Sequence, residues 1–562
     1  MTDASAATAP HDHPPAWRRY VAFLRPEAAD LWSIVVFGVA SAVLSLAVPL
    51  TVDALVSSIL FGAMLTPLLV LTLVLLGCLL LNGALRALQV WAAEVIERRM
   101  LVRVAADLSW RLPRVQIRAF DERHGPEQVN RFFDTITLQK SSTKLVLAVT
   151  NVALQTAVGM AVLAFYHPFL LILVLGLVAA VALIVFGFGW RGTRTAVAES
   201  IAKYDIAAWL QELARHTTAF CTKGGADFAA ARADELCRRY IEARRRHFRI
   251  WFRQFLGSVV LQIIAATAVL AVGGWLVIEQ QLTPGQLVAS ELIVTAVAGN
   301  LIKVADVLKD WYDACASADK LGHLVDLPLE RQDGAALPEG GKGVAIELCG
   351  VACEVPGEAG GRRGFDLSVR EGERVALVGS TGGAASYVLD ALFGLRDPVA
   401  GTIMIDGLDL RQLRLDATRD DFALVHGTEI VEGTVMENLR FGRSELAPGA
   451  VRDALSAVGL WDEVLALPAG LETRLSTRGG PLSSSQASRL MLARAIVREP
   501  RLLLLDGAID VLTKPMRAQV LRNLFDRRHG WTVLVVTQED DVAAACDRAI
   551  DCDAKAPPEA SR

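Results

Sequence analysis

Long apolar stretches dominate the first half of the chain. Four of them contain no Asp, Glu, Lys or Arg, at residues 31–52, 54–85, 145–190 and 254–278. Each can cross about 30 Å of hydrocarbon as a helix, and the third can cross twice, with His167 and Pro168 at the turn. A further apolar stretch carries Glu291 and Lys303. We therefore predict six transmembrane helices, at about residues 31–52, 66–90, 145–166, 168–190, 254–278 and 282–307.

Two polar arms separate these spans. Arg and Lys are concentrated at residues 86–144 and 191–253, whereas the turns near Phe61, His167 and Gln280 contain none. Because positive loops stay on the cytoplasmic side, we predict that both arms and both termini are cytoplasmic. Loops of this length rarely lack structure of their own, so we expect the membrane helices to continue into the cytosol as long extensions.

The second half of the chain has a different pattern. The runs GVAIELCGVA, ERVALVG, GTIMIDG, RLLLLD and WTVLVVT alternate with helical segments, which indicates a parallel sheet flanked by helices. The chain is thus predicted to be a multidomain membrane protein with a helical transmembrane domain and an α/β domain. We place the first domain at 17–328, a Pro- and Gly-rich linker at 329–342, the second domain at 343–553, and polar tails at 1–16 and 554–562.

Composition supports a membrane protein. Apolar residues make up 53% of the 562 positions, more than in an ordinary soluble protein. The net charge is −4, and we interpret the basic run at 244–249 as positive-inside charge on a helix entering the membrane rather than as a nucleic-acid site. The polar start of the chain lacks a leader pattern, so we expect no cleavable signal. The eight cysteines are scattered and are predicted to be free thiols.

A glycine-rich turn joins an apolar strand to a helix in the second domain. Its sequence GSTGGAAS follows the phosphate-loop pattern G-x-x-x-x-G-K-[ST], in which backbone N–H groups hold phosphates, Lys neutralises them and the hydroxyl binds Mg²⁺. Ala384 and Ala385 replace the second Gly and the Lys. The spacing of the phosphate-loop pattern is therefore kept, but the positive charge of the Lys is absent. The candidate residues are Gly379, Ser380, Thr381, Gly382, Gly383, Ala384, Ala385 and Ser386.

Further motifs follow this loop in a characteristic order. They are GTIMIDGLDL from Gly401, EGTVMENLRFG from Glu432, LSSSQ from Leu482, ARAIVREPRLLLLD ending at Asp506, and TVLVVTQ from Thr532. With six predicted spans upstream, the chain from about residue 17 to 553 resembles an exporter-type (type IV) ATP-binding-cassette half-transporter with a degenerate nucleotide-binding domain. The resemblance implies that ATP and Mg²⁺ are the cofactors, with Ser386 and Asp506 as Mg²⁺ ligands if nucleotide binds.

The departures from the family pattern fall on the residues that bind and hydrolyse ATP. Val355 stands where the family has an aromatic residue that stacks on adenine. The family's V-x-Q, whose Gln contacts Mg²⁺ and water, is replaced by Val425-His426-Gly427, so Gly427 stands at the position of the Gln. Gly507 occupies the position of the general base, and Gln538 that of the γ-phosphate-sensing His. Thr513 replaces an Asp in the following loop. We therefore predict that ATP binding at this site is weak or absent, that no catalytic residue is intact, and that the chain alone does not hydrolyse ATP.

The signature LSSSQ is altered less. In the family the equivalent L-S-G-G-Q starts a helix and completes the ATP site of the facing subunit. Ser483 and Gln486 are retained, while Ser484 and Ser485 replace the two glycines and keep their backbone N–H groups. The resemblance implies that these four residues act in trans.

Taken with the resemblance, these patterns favour a catalytically silent subunit of a dimeric exporter in a bacterial inner membrane. It would form half of the transmembrane path and complete the ATP site of a second, ATPase-competent half-transporter, with membrane lipid around it and a periplasmic adaptor left open. The alternative is a homodimeric, non-hydrolysing scaffold or regulator with the same fold. Three interpretations without a function in ATP binding also stay open. The glycine loop can be a tight strand-to-helix connection, Asp506 can cap the end of a buried strand, and LSSSQ can be a loop whose sequence has diverged after losing its function. Glu291 is either a charge in the substrate path or an interfacial residue, and the sequence does not identify the substrate.

Overall fold

The computed structural model describes residues 15–60, 65–121, 125–187, 189, 192–338, 340–352, 364–379, 383–443 and 445–552. These residues form two compact units. The helical unit comprises Met1–Arg114 and Glu122–Leu327, and the α/β unit comprises Val115–Asp121 and Pro328–Arg562. The predicted tails lie almost entirely outside the described residues.

The helical unit is built from long helices that exceed the predicted spans. Their bounds are α1 Ala16–Leu24, α2 Ala28–Leu44, α3 Ala47–Leu60, α4 Leu65–Arg111, α5 Gly125–Val129, α6 Asp134–Tyr166, α7 Pro168–Ala182, α8 Gly192–Arg215, α9 Thr217–Phe220, α10 Lys223–Ile278 and α11 Pro284–Val325. Helices α4 and α10 contain 47 and 56 residues, far more than the roughly 20 needed to cross a membrane. The long helical extensions expected from the polar arms are therefore confirmed.

Within the described residues, five helical segments are long and apolar enough to span a bilayer. They are Ala16–Ser58, Leu68–Arg114, Asn130–Tyr166, Pro168–Gly187 and Lys223–Ile278. The sixth predicted span begins α11, whose apolar part is the shorter segment Pro284–Val297. The first predicted span consists of two helices, α2 and α3, joined at Ser45 and Leu46.

Local capping explains where two of these helices begin. His167 is extended and its Nδ1 accepts a hydrogen bond from the Phe169 N–H at 3.2 Å, with Pro168 as the first residue of α7. Before α11, Thr283 and Gln286 form a reciprocal capping box. Glu291 lies two turns into α11 and is half-buried, and its Oε1 accepts a 3.4 Å hydrogen bond from Thr295. Its role stays a prediction.

The α/β unit contains two main sheets. Its strands are β1 Ile346–Ala352, β2 Gly364–Val369, β3 Arg374–Val378, β4 Ala400–Ile405, β5 Leu408–Asp409, β6 Phe422–His426, β7 Gly433–Thr434, β8 Arg474–Leu475, β9 Leu502–Asp506, β10 Thr532–Val536 and β11 Arg548–Asp551. Its helices are α12 Ala384–Leu392, α13 Leu415–Asp421, α14 Val435–Arg440, α15 Pro448–Ala457, α16 Trp461–Leu465, α17 Ser484–Ile496, α18 Lys514–Leu524 and α19 Asp540–Ala544. One sheet has the order β11-β3-β10-β9-β6 and is parallel throughout.

The second sheet corrects one sequence expectation. Strands β1 and β4, which correspond to the runs GVAIELCGVA and GTIMIDG, lie in an antiparallel sheet of order β2-β1-β4-β5. Strand β1 begins with buried and exposed positions in alternation, as half-buried antiparallel strands do, whereas residues 502–505 of β9 are all buried. Along β9, Leu503 and Leu505 pack into one core, and Leu502 and Leu504 into another.

The segment after the helical unit packs onto the α/β unit. Glu330 pairs with Arg419 at 2.6 Å, and Arg331 donates hydrogen bonds to the carbonyls of Leu410 and Arg411. The first two residues of this segment to be paired, Glu330 and Arg331, thus hold the start of the predicted linker within the α/β unit.

Candidate nucleotide site

The register of the parallel sheet brings two site residues together. His426 is the last residue of β6 and Asp506 is the last residue of β9, and the two are direct partners in the ladder. Because carboxyl ends of parallel strands meet at one edge of the sheet, the turns after β3 and β10 open at the same edge. The glycine loop follows β3, and Gln538 follows β10.

The glycine loop leads into helix α12. Gly379 is exposed directly after β3, whereas Ser380, Thr381 and Gly382 lie outside the described residues. Gly383 precedes α12 with φ 98°, a left-handed conformation that a side chain rarely adopts. Ala384 and Ala385 then form the first turn. The helix start offers N–H groups to an anion, without the positive charge that a Lys at position 385 would add.

Three side chains meet beyond this turn. The Ser386 hydroxyl donates a 3.0 Å hydrogen bond to one carboxylate oxygen of Asp506, and the His426 Nδ1 lies 3.0 Å from the other. The side chain of Asp506 is 14% exposed and that of His426 is 54% exposed. The hydrogen bond to Asp506 raises the pKa of His426 above its usual value and outweighs the opposing effect of burial. We call Ser386, His426 and Asp506 the closed cluster, because each carboxylate oxygen of Asp506 has a protein partner.

This cluster does not fit Mg²⁺. The ion prefers six oxygen ligands in near-ideal octahedral geometry, and Ser386 and Asp506 supply the right kind of oxygen. Both carboxylate oxygens of Asp506 already have partners, however, and one of those partners is an imidazole nitrogen. Because this nitrogen donates its hydrogen to the carboxylate, it offers no lone pair to a cation.

The positions of the missing base and sensor follow the ends of β9 and β10. Gly507 has φ 60°, its N–H donates to the Val536 carbonyl at 3.0 Å, and open space surrounds the site of a Cβ. Gln538 is exposed, and its backbone N–H donates to Asp510 at 3.0 Å. Thr513 precedes α18, and Val355 lies outside the described residues.

Asp510 is a site residue that the sequence reasoning missed. One carboxylate oxygen accepts from the Thr537 hydroxyl at 2.6 Å, and the other from the Gln538 N–H. Asp510 therefore holds the turn after β10 against the turn after β9. An acid four residues after the strand-ending Asp506 was the available signal.

The signature residues start helix α17. Ser483 and Gln486 form a capping box, in which the Ser483 hydroxyl accepts from the Gln486 N–H at 3.3 Å and the Gln486 side chain accepts from the Ser483 N–H at 2.8 Å. Ser483 and Ser484 are exposed, and Ser485 is half-buried. In the part of the chain that the structure describes, the side-chain hydrogen bonds of Ser483 and Gln486 do not link them to Asp506.

A buried ion pair anchors this helix start. Arg489, whose side chain is 4% exposed, donates two 2.8 Å hydrogen bonds to the carboxylate of Glu463. The Gln486 amide donates to the same carboxylate at 2.8 Å. The hydrogen bond from Arg489 is the main reason that the pKa of Glu463 lies below its usual value. The start of α17 is thus fixed from behind while its first turn faces outward.

Comparisons with known proteins agree with this architecture. Residues 31–301 match the family model of the ABC transporter transmembrane region, and residues 363–510 match the ABC transporter model. The chain belongs to the ABC transporter family. It is an integral membrane protein in which a helical transmembrane domain precedes an ABC cassette, so the predicted fold class is confirmed.

Curated relatives include proteins with different stated activities. The chain is 29% identical over 304 residues to the ATP-dependent lipid A-core flippase of Neisseria meningitidis, covering 53% of this chain and 48% of the relative. It is 30% identical over 292 residues to a multidrug efflux ATP-binding/permease protein of Mycobacterium bovis, covering 51% and 24%. It is 27% identical over 540 residues to the mitochondrial potassium channel ATP-binding subunit of Pongo abelii, covering 92% and 74%. The chain thus spans about half the length of the flippase that it matches.

A solved structure shows the same fold. A bacterial Atm1-family ABC exporter with ATP bound superposes with a TM-score of 0.77 at 22% identity, over 94% of each chain. This likeness concerns the fold alone.

Within the α/β unit, Arg396, which follows α12, contacts the tip of the first arm. Arg396 binds both carboxylate oxygens of Asp121, at 2.7 and 2.8 Å, and lies 4.7 Å from the ring centre of Tyr387. Tyr387 is the residue after Ser386 in α12. The hydrogen bond from Arg396 lowers the pKa of Asp121. Arm-tip residues 115–121 are therefore held by a side chain that packs against the helix following the glycine loop.

His426 also lines a groove of about 200 Å³. Arg443, Arg494 and Arg498 line it together with Phe393 and Phe441. Such a surface can receive a short segment that carries aromatic or acidic side chains.

Proposed function

We propose that this chain is a catalytically silent subunit of a dimeric ABC exporter. It forms half of the transmembrane pathway and contributes residues 483–486 to the ATP site of an ATPase-competent partner. The contrast between the closed cluster at Asp506 and the open, ordered start of α17 carries this proposal.

The silence follows from the residues that surround Asp506. Gly507 has no side chain to accept a proton from water, and general-base catalysis typically contributes about 10²–10⁴-fold to a rate. Ala385 removes a charged hydrogen bond to phosphate, worth about 1.5–3 kcal/mol, or roughly 10–100-fold in affinity. Weak or absent binding of ATP and Mg²⁺ at this site is consistent with both losses.

The contribution in trans follows from α17. An α-helix leaves its first N–H groups without partners inside the helix, and these groups favour an anion such as phosphate. Ser484 and Ser485 present such groups in the first turn of α17, with Ser484 exposed. The capping box and the Glu463–Arg489 pair keep this turn ordered without any ligand.

The cassette also has a mechanical role in this proposal. The Asp121–Arg396 contact ties the tip of the first arm to the cassette, and the groove beside His426 can receive an arm tip from the partner. Closure driven by ATP at the partner's site would then move helices of this silent subunit as well.

The membrane setting and the cargo rest on the fold and on the relatives. We propose a bacterial inner membrane with the cassette and both termini in the cytoplasm, because the two arms carry the positive charge. Export is the activity that the exporter fold supports, whereas the relatives' names span lipid A-core, drugs and potassium. A periplasmic adaptor is a further partner compatible with this arrangement. A homodimeric, non-hydrolysing scaffold is the alternative, since the closed cluster also suits a cassette that never uses ATP.

ATPase assays with and without a partner test the silence. The purified full-length chain should show the same rate as its Asp506→Asn variant, and a complex with an intact half-transporter encoded beside it should be active. Magnesium-dependent turnover of even about 1 s⁻¹ by the chain alone, abolished by Asp506→Asn, would contradict the proposal.

A further inference from the structure

We propose that His426 is the residue that closes this site to Mg²⁺, by holding the carboxylate on which the ion would bind. This inference rests on the proposed silence of the site and names one cause of it. It assigns to His426 a role separate from the loss of the Lys at position 385.

The geometry gives each carboxylate oxygen of Asp506 one protein partner. One oxygen accepts from Ser386 at 3.0 Å and the other lies 3.0 Å from the His426 Nδ1. A hard cation bound to this carboxylate would face the imidazole edge at hydrogen-bonding distance. Metal and imidazole thus compete for the same oxygen.

The fold keeps His426 beside Asp506, where it competes with the metal. His426 and Asp506 are paired residues of adjacent parallel strands, so their backbones stay side by side whatever the adjoining loops do. Gly427 follows with φ 69°, which turns the chain away immediately after the histidine. The imidazole can leave the carboxylate only by rotating its side chain toward solvent, and it gives up the hydrogen bond when it does so.

A histidine and a glutamine at position 426 would affect Mg²⁺ binding at Asp506 in opposite ways. The Nδ1–H of His426 donates to the carboxylate, so the edge of the ring occupies the place where Mg²⁺ would approach that oxygen. A neutral Gln offers a carbonyl oxygen, which is a ligand that Mg²⁺ accepts. His426→Gln should therefore free an oxygen of Asp506 and add another suitable oxygen beside it.

Manganese binding separates this effect from the damaged glycine loop. We would place the full-length chain in lipid nanodiscs and titrate it with the preformed Mn²⁺–ATP complex, following the protein-bound Mn²⁺ by electron paramagnetic resonance. The titration is run with the natural loop and with Ala384→Gly plus Ala385→Lys. In the second background, His426→Gln should tighten Mn²⁺ about 10–100-fold relative to His426, the range typical of changes to groups that hold metal ligands. His426→Arg keeps an N–H donor beside Asp506 and is the matched control, which should gain nothing.

Three results would overturn the proposal. Equal Mn²⁺ affinity with and without the His426→Gln change, in the background of the repaired loop, would show that the histidine is no obstacle. Absence of bound Mn²⁺ in the folded His426→Gln variant with the repaired loop would assign the exclusion to another group. Tight, Asp506-dependent binding by the unmodified chain would show that the site accepts the metal already. The contribution of residues 483–486 to the partner's ATP site is measured separately, on the two-subunit complex. Either that contribution or the exclusion of metal by His426 can therefore fail without the other.

Discussion

The cassette contains two regions that the family uses for one reaction, and they differ in what they have kept. At the carboxyl edge of the parallel sheet, Asp506 contacts Ser386 through one carboxylate oxygen and His426 through the other. At the start of α17, Ser483 and Gln486 satisfy each other, and the first-turn N–H groups face outward. The region that has lost its catalytic residues is thus the closed cluster at Asp506. The region that keeps the family's helix start is the exposed first turn of α17.

Repair of the nucleotide loop should produce the largest change in this comparison. Ala384→Gly, Ala385→Lys and Val355→Tyr together restore a charged hydrogen bond and an aromatic stack, worth about 1.5–3 and 1–3 kcal/mol. A fluorescent ATP analogue should bind the full chain about 10²–10⁴-fold more tightly. If affinity stays unchanged, the turn before α12 no longer has the shape of a phosphate site.

Loss of the ion pair behind α17 should be the next largest effect. Glu463→Ala leaves Arg489 buried without its carboxylate, and breaking a buried pair typically costs about 3–5 kcal/mol. Since Glu463 is 38% exposed, we expect about 2 kcal/mol. Thermal unfolding of the full chain would show the loss, and Glu472→Ala, a change at another carboxylate of the same domain, serves as the control. An unchanged midpoint would mean that the helix start needs no anchor.

Restoring the base position should have a smaller cost. Gly507 has φ 60°, and a residue with a Cβ pays about 1–2 kcal/mol in this conformation. Gly507→Ala and Gly507→Glu should both lower the unfolding midpoint, whereas Gly507→Asn should lower it less, because Asn tolerates a left-handed backbone. Equal midpoints for Ala and Asn would argue against a strained turn. Gly507→Glu alone should not produce turnover.

The arm-tip contact should have the smallest effect on stability. Asp121→Ala removes a bidentate ion pair that is partly exposed, worth up to about 1 kcal/mol. Its signature should be weaker coupling, measured as a lower transport rate per ATP hydrolysed by the complex. Asp416→Ala, at an exposed ion pair elsewhere in the cassette, is the matched control. Equal coupling in both variants would remove Asp121 from the mechanical path.

The sequence predicts the open region better than the closed one. The capping box lies within four residues, since Ser483 and Gln486 are visible as an S-x-x-Q pattern before a helical run. The Asp506–His426 pair depends instead on the register of two strands that are 80 positions apart, and no local pattern encodes it. The same holds for Asp121 and Arg396, which are 275 residues apart.

The fold class, too, was predicted where a local sequence pattern determines it and was missed where it depends on strand pairing. Apolar stretches predict the membrane helices because burial in lipid requires about 20 apolar residues in a row. The antiparallel pairing of β1 and β4 was missed, since their apolar residues resemble those of the parallel strands until the exposed positions are known. The left-handed backbone at Gly507 is equally hidden, because a glycine is compatible with either sign of φ.

The ATPase rate of the two-subunit complex tests the central claim most directly, through two single changes in this chain. Ser484→Asp places a negative charge where the partner's γ-phosphate is expected, and repulsion at about 4 Å is worth about 1 kcal/mol in water and about 4 at an effective dielectric near 20. The complex should lose roughly one to three decades of activity. Asp506→Asn, at the closed cluster, should leave the rate nearly unchanged. Equal tolerance of both changes would contradict the contribution of this chain to a working site and would favour the scaffold.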